Sequence, residues 1–159
     1  MANRSQNFNL DLRQSISPDL YQTNNTTIAG AAVDCLGYDS VTPFVSVNDW
    51  GDTSTGGWEF GLLHSDSANT GFVDVPNEDL TVTVAGASTV TGAQDTGVFC
   101  IIDAAAEDDA IYTTGYIGNK RYVKVKATAT GNQSTGTDLE AGVILANPAN
   151  APTGANISS

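Results

Sequence analysis

Basic residues are scarce in this chain. Six Lys and Arg stand against 18 Asp and Glu, a formal net charge of −12, and between Arg13 and Lys120 there is no base while 15 acids fall in that interval. Affinity for nucleic acid comes mainly from cations that displace counterions at phosphates, so a body of this charge repels nucleic acid and, for the same reason, an anionic membrane surface. The acidity itself reads first as solubility in a salty or crowded setting. No window approaches 18 consecutive apolar residues, which excludes a membrane-spanning helix. The first residues, Met1-Ala2-Asn3-Arg4-Ser5, lead into polar sequence without the apolar stretch of a signal peptide, so synthesis and folding in a cytosol are expected. Two cysteines, Cys35 and Cys100, are too few for a disulfide framework. Each falls in an apolar alternating stretch, so reduced, buried thiols are expected, with a single bridge as the alternative.

Catalytic constellations are equally thin. His64 is the one imidazole, flanked by Leu63 and Ser65, and no Gly-x-Ser-x-Gly elbow presents a serine nucleophile. A Cys35–His64 dyad has no local support, and His64 is expected to be a partly exposed strand residue. One His and two Cys supply a zinc site poorly. Carboxylate pairs are unavoidable with 18 acids and say little about glycosidase chemistry. Glu107-Asp108-Asp109 reads as a solvated turn before it reads as a calcium site. Asp49-Trp50-Gly51-Asp52 and Asp66-Ser67-Ala68-Asn69 resemble pieces of calcium loops without the Asp-x-Asp-x-Asp-Gly spacing. No phosphate-binding loop or dinucleotide fingerprint occurs, and the triplets Asn24-Asn25-Thr26 and Asn132-Gln133-Ser134 read as polar turns. No catalytic residue, cofactor or metal is therefore expected, and the chain reads as a binding protein, not an enzyme.

What is present is β pattern. Apolar residues make up 40% of the chain, Gly occurs 16 times, and Val, Thr and Ile are spread throughout. Strand-like runs fall at 26–33, 41–47, 58–63, 72–75, 80–84, 98–102, 110–117, 121–130 and 139–145, separated by Gly, Asn, Asp and Ser turns. Residues 51–57 suit a hairpin or rim loop, and 103–109 is the one stretch that suits a helical turn. The expected fold is all-β: a single β-sandwich of jelly-roll type at 21–146, without internal repeats. Residues 1–20 read as an N-terminal arm and 147–159 as an extended C-terminal tail. Within the arm, Phe8, Leu10 and Leu12 alternate as a strand would, and Pro18 stops any helix. A polar arm with one apolar face suits strand addition to the edge of a neighbouring subunit, so it is expected to order only on assembly.

The bases that do exist are concentrated. Four of the six lie in Lys120-Arg121-Tyr122-Val123-Lys124-Val125-Lys126. On a strand, Val123 and Val125 share one face with Arg121 at its start, while Tyr122, Lys124 and Lys126 share the other. Two readings are open: the stripe neutralises acidic strands of its own chain, or Lys120, Tyr122, Lys124 and Lys126 dock an acidic partner surface.

The run from Ala110 to Val125, with Tyr112, Gly115-Tyr116-Ile117-Gly118 and Lys120-Arg121-Tyr122, resembles a pattern found in small virion structural proteins of tailed bacteriophages. Val143-Ile144-Leu145-Ala146-Asn147-Pro148-Ala149-Asn150-Ala151-Pro152 is similar to the ending of those proteins, and Val33-Asp34-Cys35-Leu36-Gly37-Tyr38-Asp39-Ser40 to an earlier segment. Ala146-Asn147-Pro148 replaces a more basic, glycine-bearing ending. The resemblance spans most of 26–152, is strongest at 110–152, and brings no catalytic residues. It implies a capsid decoration or cement protein that binds the major capsid protein, sits on the virion surface and works as a homo-oligomer, a trimer foremost. An arginine-tyrosine-valine strand also occurs in carbohydrate-binding jelly rolls. The rival expectation is thus a glycan-binding head-fibre or tail adhesion module, with a rim pocket lined by Trp50, Trp58 or Tyr38.

Overall fold

The structure, a computed structural model, describes residues 9–22, 25–49, 56–81, 96–131 and 135–149. Its strands are β1 (Leu10–Tyr21), β2 (Thr27–Ala29), β3 (Val33–Asp34), β4 (Tyr38–Asp49), β5 (Gly57–Ser65), β6 (Val73–Asp74), β7 (Leu80–Thr81), β8 (Val98–Ile102), β9 (Ala110–Thr113), β10 (Gly115–Tyr116), β11 (Tyr122–Thr130) and β12 (Thr137–Pro148). Two short 3-10 turns complete it, at Asn77–Asp79 and, within the stretch expected to make a helical turn, Ala105–Glu107.

The strands form two antiparallel sheets packed face to face. Sheet A runs β1-β12-β4-β10-β7 with β9 also on β4, and sheet B runs β2-β11-β5-β6 with β3 on β11 and β8 on β5. Three edges are broken strands: β2 and β3 share one side of β11, β9 and β10 one side of β4, β6 and β8 one side of β5. With each of these pairs counted as one strand, and the two-residue β7 beyond β10 left out, the chain order is 1-8-3-6 in one sheet and 2-7-4-5 in the other, the order of a jelly roll.

The period of two explains which side chains fill the space between the sheets. Val41, Pro43, Val45 and Val47 of β4, Val123, Val125, Ala127 and Ala129 of β11, and Leu139, Ala141, Val143 and Leu145 of β12 are buried, each separated by a half-covered residue except at Gly142, which is itself buried. β5 contributes Trp58, Phe60 and Leu62, all fully buried; Trp58 stacks on Phe60 with centroids 6.3 Å apart and meets Tyr21 edge-on. Burying each of these three contributes about 1.5–3 kcal/mol. Cys35 and Cys100 lie in this core as free thiols, and burial pushes both up to about 12.

Residues 10–20, expected to reach across to a neighbour, form instead the first strand of this chain's own sheet. β1 pairs with β12 from Leu10↔Ala146 to Tyr21↔Thr137. The strand addition read from the alternation is present, but the edge that receives it is β12, a 12-residue strand. Pro18 is accommodated because β1 is an edge strand, with a register shift between Ile16 and Asp19. A second shift, between Gln14 and Ile16, turns Ser15 toward sheet B. There Ser15 Oγ accepts the Val125 N–H at 3.0 Å and donates to the Ala31 carbonyl at 3.0 Å, in the gap between β2 and β3. A side chain thus replaces the missing strand backbone and stitches the sheets together. Gly30 lies so close that a Cβ there would sit 2.3 Å from Ser15 Oγ. At the other end β12 extends to Pro148, two residues into the expected tail; Phe8 and residues 150–159 lie outside the described residues.

Candidate functional site

The basic stripe sits on β11, and the phase read from sequence holds: Val123 and Val125 are fully buried, while Tyr122, Lys124 and Lys126 face outward on sheet B. Arg121 departs from the reading. It is exposed and reaches Asp34 through two hydrogen bonds at 2.9 and 2.7 Å. This bidentate pair holds the Asp34 carboxyl below its ordinary value and the guanidinium above its own. Lys120 pairs with Asp66 at 2.5 Å, Lys126 with Asp74, and the Lys124 ammonium lies 4.1 Å from the centre of the Phe72 ring. The Lys126 stem crosses Gly61, where a Cβ would meet its Cε at 2.7 Å. Every cation of the stripe therefore has a partner inside its own chain, which is the intramolecular reading of the two.

The outer face of sheet A is of another kind. Register and alternation place Leu10, Leu12 and Gln14 of β1 beside Ala146, Ile144 and Gly142 of β12, then Ser40, Thr42 and Phe44 of β4. Thr113 and Ile111 of β9 continue the face beside Phe44 and Ser46. Leu12 is 66% and Ile111 58% exposed at opposite sides of this surface. The Phe44 ring lies over Gly142, where a Cβ would meet Phe44 Cε1 at 2.7 Å and the Arg13 carbonyl at 2.6 Å. Among the residues of this central face only Glu140 is charged, in a chain of net charge −12. Leu10 and Leu12, expected to bind a partner, thus belong to a broad, nearly uncharged surface of apolar and hydroxyl side chains, whereas Lys120, Tyr122, Lys124 and Lys126 lie elsewhere.

At one end of the sandwich a groove of about 510 Å³ opens between the β3–β4 turn and the β10–β11 connection. Tyr38, expected on a rim pocket, lines it. Trp58 does not: it shares the inward phase of Phe60 and Leu62 and is fully buried, and Trp50 lies outside the described residues. His64 follows the same inward phase and is 6% exposed, correcting the expectation of a partly exposed residue. Its Nδ1 lies 3.0 Å from the Tyr116 hydroxyl, which also accepts the Lys120 N–H at 3.0 Å. The hydroxyl thus joins the imidazole to the backbone at Lys120, and the direction of its bond with His64 Nδ1 follows the imidazole tautomer. Burial lowers the His64 pKa from 6.5; Asp79 and Asp66 oppose this and Lys120 adds to it. The network ties the groove wall to the core.

The acidic stretches have structural work. Glu107 accepts the N–H groups of Asp103 and Ala104, and the turn after β5 is held by Ser65 Oγ, which donates to the Thr70 carbonyl and accepts the Ser67 N–H. Among the described residues no three His, Cys, Asp or Glu side chains converge as a metal site would require. No protein-family model, curated protein or solved structure matches this chain.

Proposed function

We propose that this chain is a structural protein that coats an assembled protein surface, a capsid decoration or cement protein, and that it docks through the outer face of sheet A. The observation that carries the reading is the almost uncharged band in which Leu12, Ile144, Phe44 and Ile111 alternate with Thr42, Thr113 and Ser46. A nearly uncharged face, apolar side chains interspersed with hydroxyls, on an otherwise acidic body is where a partner can approach without meeting like charge and gain from excluding water. The segments that resemble phage virion proteins supply the class of partner, the major capsid protein of a head shell. Many copies on one shell make modest contacts per copy sufficient, because each further contact of an oligomer forms at high effective concentration.

Co-sedimentation of the purified protein with isolated heads that lack it tests the reading. Wild type is expected to pellet at stoichiometric copy number, and Leu12→Glu with Ile111→Glu to stay in the supernatant. Lys124→Glu with Lys126→Glu is expected to bind as wild type. Full binding by the Leu12/Ile111 variant would overturn the assignment of the face.

A further inference from the structure

We infer that the groove between the β3–β4 turn and the β10–β11 connection binds a neutral saccharide. Its volume of about 510 Å³ lies within the ordinary range for small-molecule sites. Val41, Cys35 and Tyr116, all buried, form its apolar floor. Leu36 and Ile117, 66% and 65% exposed, stand at its lip and leave apolar surface that the fold itself does not cover. Tyr38 adds an aromatic wall.

The polar lining selects the ligand class. Asp39, Asp66, Lys120 and Arg121 contribute two charges of each sign; with Asp34, which holds Arg121 from outside the groove, three acids stand against two bases and only Asp39 is left uncompensated. An anion gains little, because Lys120 is already paired with Asp66 and Arg121 with Asp34. A cation gains little at Asp66 for the same reason, and little at Asp39, because one exposed carboxylate in water attracts a cation only weakly. Asp39 is exposed and has no partner among the described residues, and Asn119 offers both a donor and an acceptor. Free acceptors, an amide, little net charge and apolar walls match a sugar, whose hydroxyls donate and accept while its C–H faces pack on aliphatic and aromatic groups.

The wall is also preorganised. Ile117 N–H donates to the Asp79 carbonyl, Lys120 N–H to the Tyr116 hydroxyl, and Lys120 pairs with Asp66. Gly118 rests on the Tyr116 ring, where a Cβ would come within 2.5 Å. Little ordering is left to oppose binding.

The groove is independent of the sheet A face, so either assignment stands or falls alone. The test is an amide-resolved NMR titration of the intact protein with maltose, lactose and N,N′-diacetylchitobiose, and with phosphate and N-acetyl-lysine amide as charged probes. At least one disaccharide is expected to shift amides at 35–39 and 116–121 in the millimolar range, with both charged probes silent there. Asn119→Ala and Asp39→Asn, both at exposed positions, are expected to keep the dispersed spectrum and to weaken binding roughly five- to tenfold, the loss of one or two hydrogen bonds. Silence with all three sugars, a response confined to a charged probe, or unchanged binding by both variants would overturn the inference.

Discussion

The outer faces of the two sheets rest on the same antiparallel ladder and the same alternation, yet they are finished differently. Sheet B presents charge and consumes it: Arg121 with Asp34, Lys126 with Asp74, Lys124 on Phe72. Sheet A presents almost none and leaves Leu12 and Ile111 in water. Each has a glycine beneath a large side chain, Gly61 under the Lys126 stem and Gly142 under the Phe44 ring. The difference teaches that concentrated charge does not by itself mark a binding surface. Exposed ion pairs contribute only about 0–1 kcal/mol each and satisfy one another, whereas uncovered apolar area is a gain that only a partner can realise.

The largest effect is expected from adding a methyl group to sheet A. Gly142→Ala sets a Cβ against the Arg13 carbonyl, which is backbone and cannot step aside. Urea unfolding should report a loss of about 2–3 kcal/mol. Gly61→Ala meets the flexible end of Lys126 at 2.7 Å and backbone only at 3.3 Å, the Gly97 carbonyl, which has to give by a few tenths of an ångström, and should cost under about 1 kcal/mol. Equal losses would mean that the two glycines are not used differently.

Next in size is the seam between the sheets. Ser15→Ala strips the Val125 N–H of its acceptor and should cost about 1–2 kcal/mol by the same measurement, while Ser15→Thr keeps the hydroxyl. A neutral Ser15→Ala would show that water replaces the stitch.

A smaller, pH-dependent effect belongs to His64. Its folded pKa is depressed, so its contribution is fully present above the unfolded value of 6.5 and is lost as pH falls through the folded one. The melting temperature of wild type should therefore decline as pH drops below 6.5, and that part of the decline should vanish in His64→Gln. Asp34 does not contribute in this window, because its carboxyl titrates below 3.8. An identical slope in both proteins would remove His64 from the account.

The smallest effect is expected on the charged face. Lys124→Ala should change stability by no more than about 0.5 kcal/mol in thermal unfolding. A larger loss would show that its packing on Phe72 matters more than an exposed contact should.

Much of the fold was legible in local pattern. The run at 98–102 is β8 to the residue, and the alternation at 41–47 and 121–130 identifies the inward faces of β4 and β11. β1 was harder, because the shift at Ser15 interrupts its alternation and its Asn, Gln and Ser content suits an arm. Trp58 and His64 carried a usable signal: positions 58, 60, 62 and 64 share one phase, so burial of Phe60 and Leu62 implies burial of the other two. The partners of the basic stripe carried none, since Asp34 and Asp74 lie 87 and 52 residues from Arg121 and Lys126. Nor does any local window show that Leu12, Ile144, Phe44 and Ile111 share a face; that follows only from register between strands distant in sequence.

The pairing of β1 with β12 also sets a timetable. Both β1 and β4 pair with β12, so sheet A has no centre until residues 137–148 have been made. At roughly 5–20 residues per second, β1 waits on the order of 10 s for its partner. Contacts this distant in sequence make folding slow as well as late. The β4–β9 part of the outer face of sheet A can pair earlier, but the part carried by β1 and β12 forms only after nearly all of the described chain has been made. A chain that stops before β12 lacks the strand that joins β1 to β4, and Leu10 and Leu12 then have no sheet to belong to.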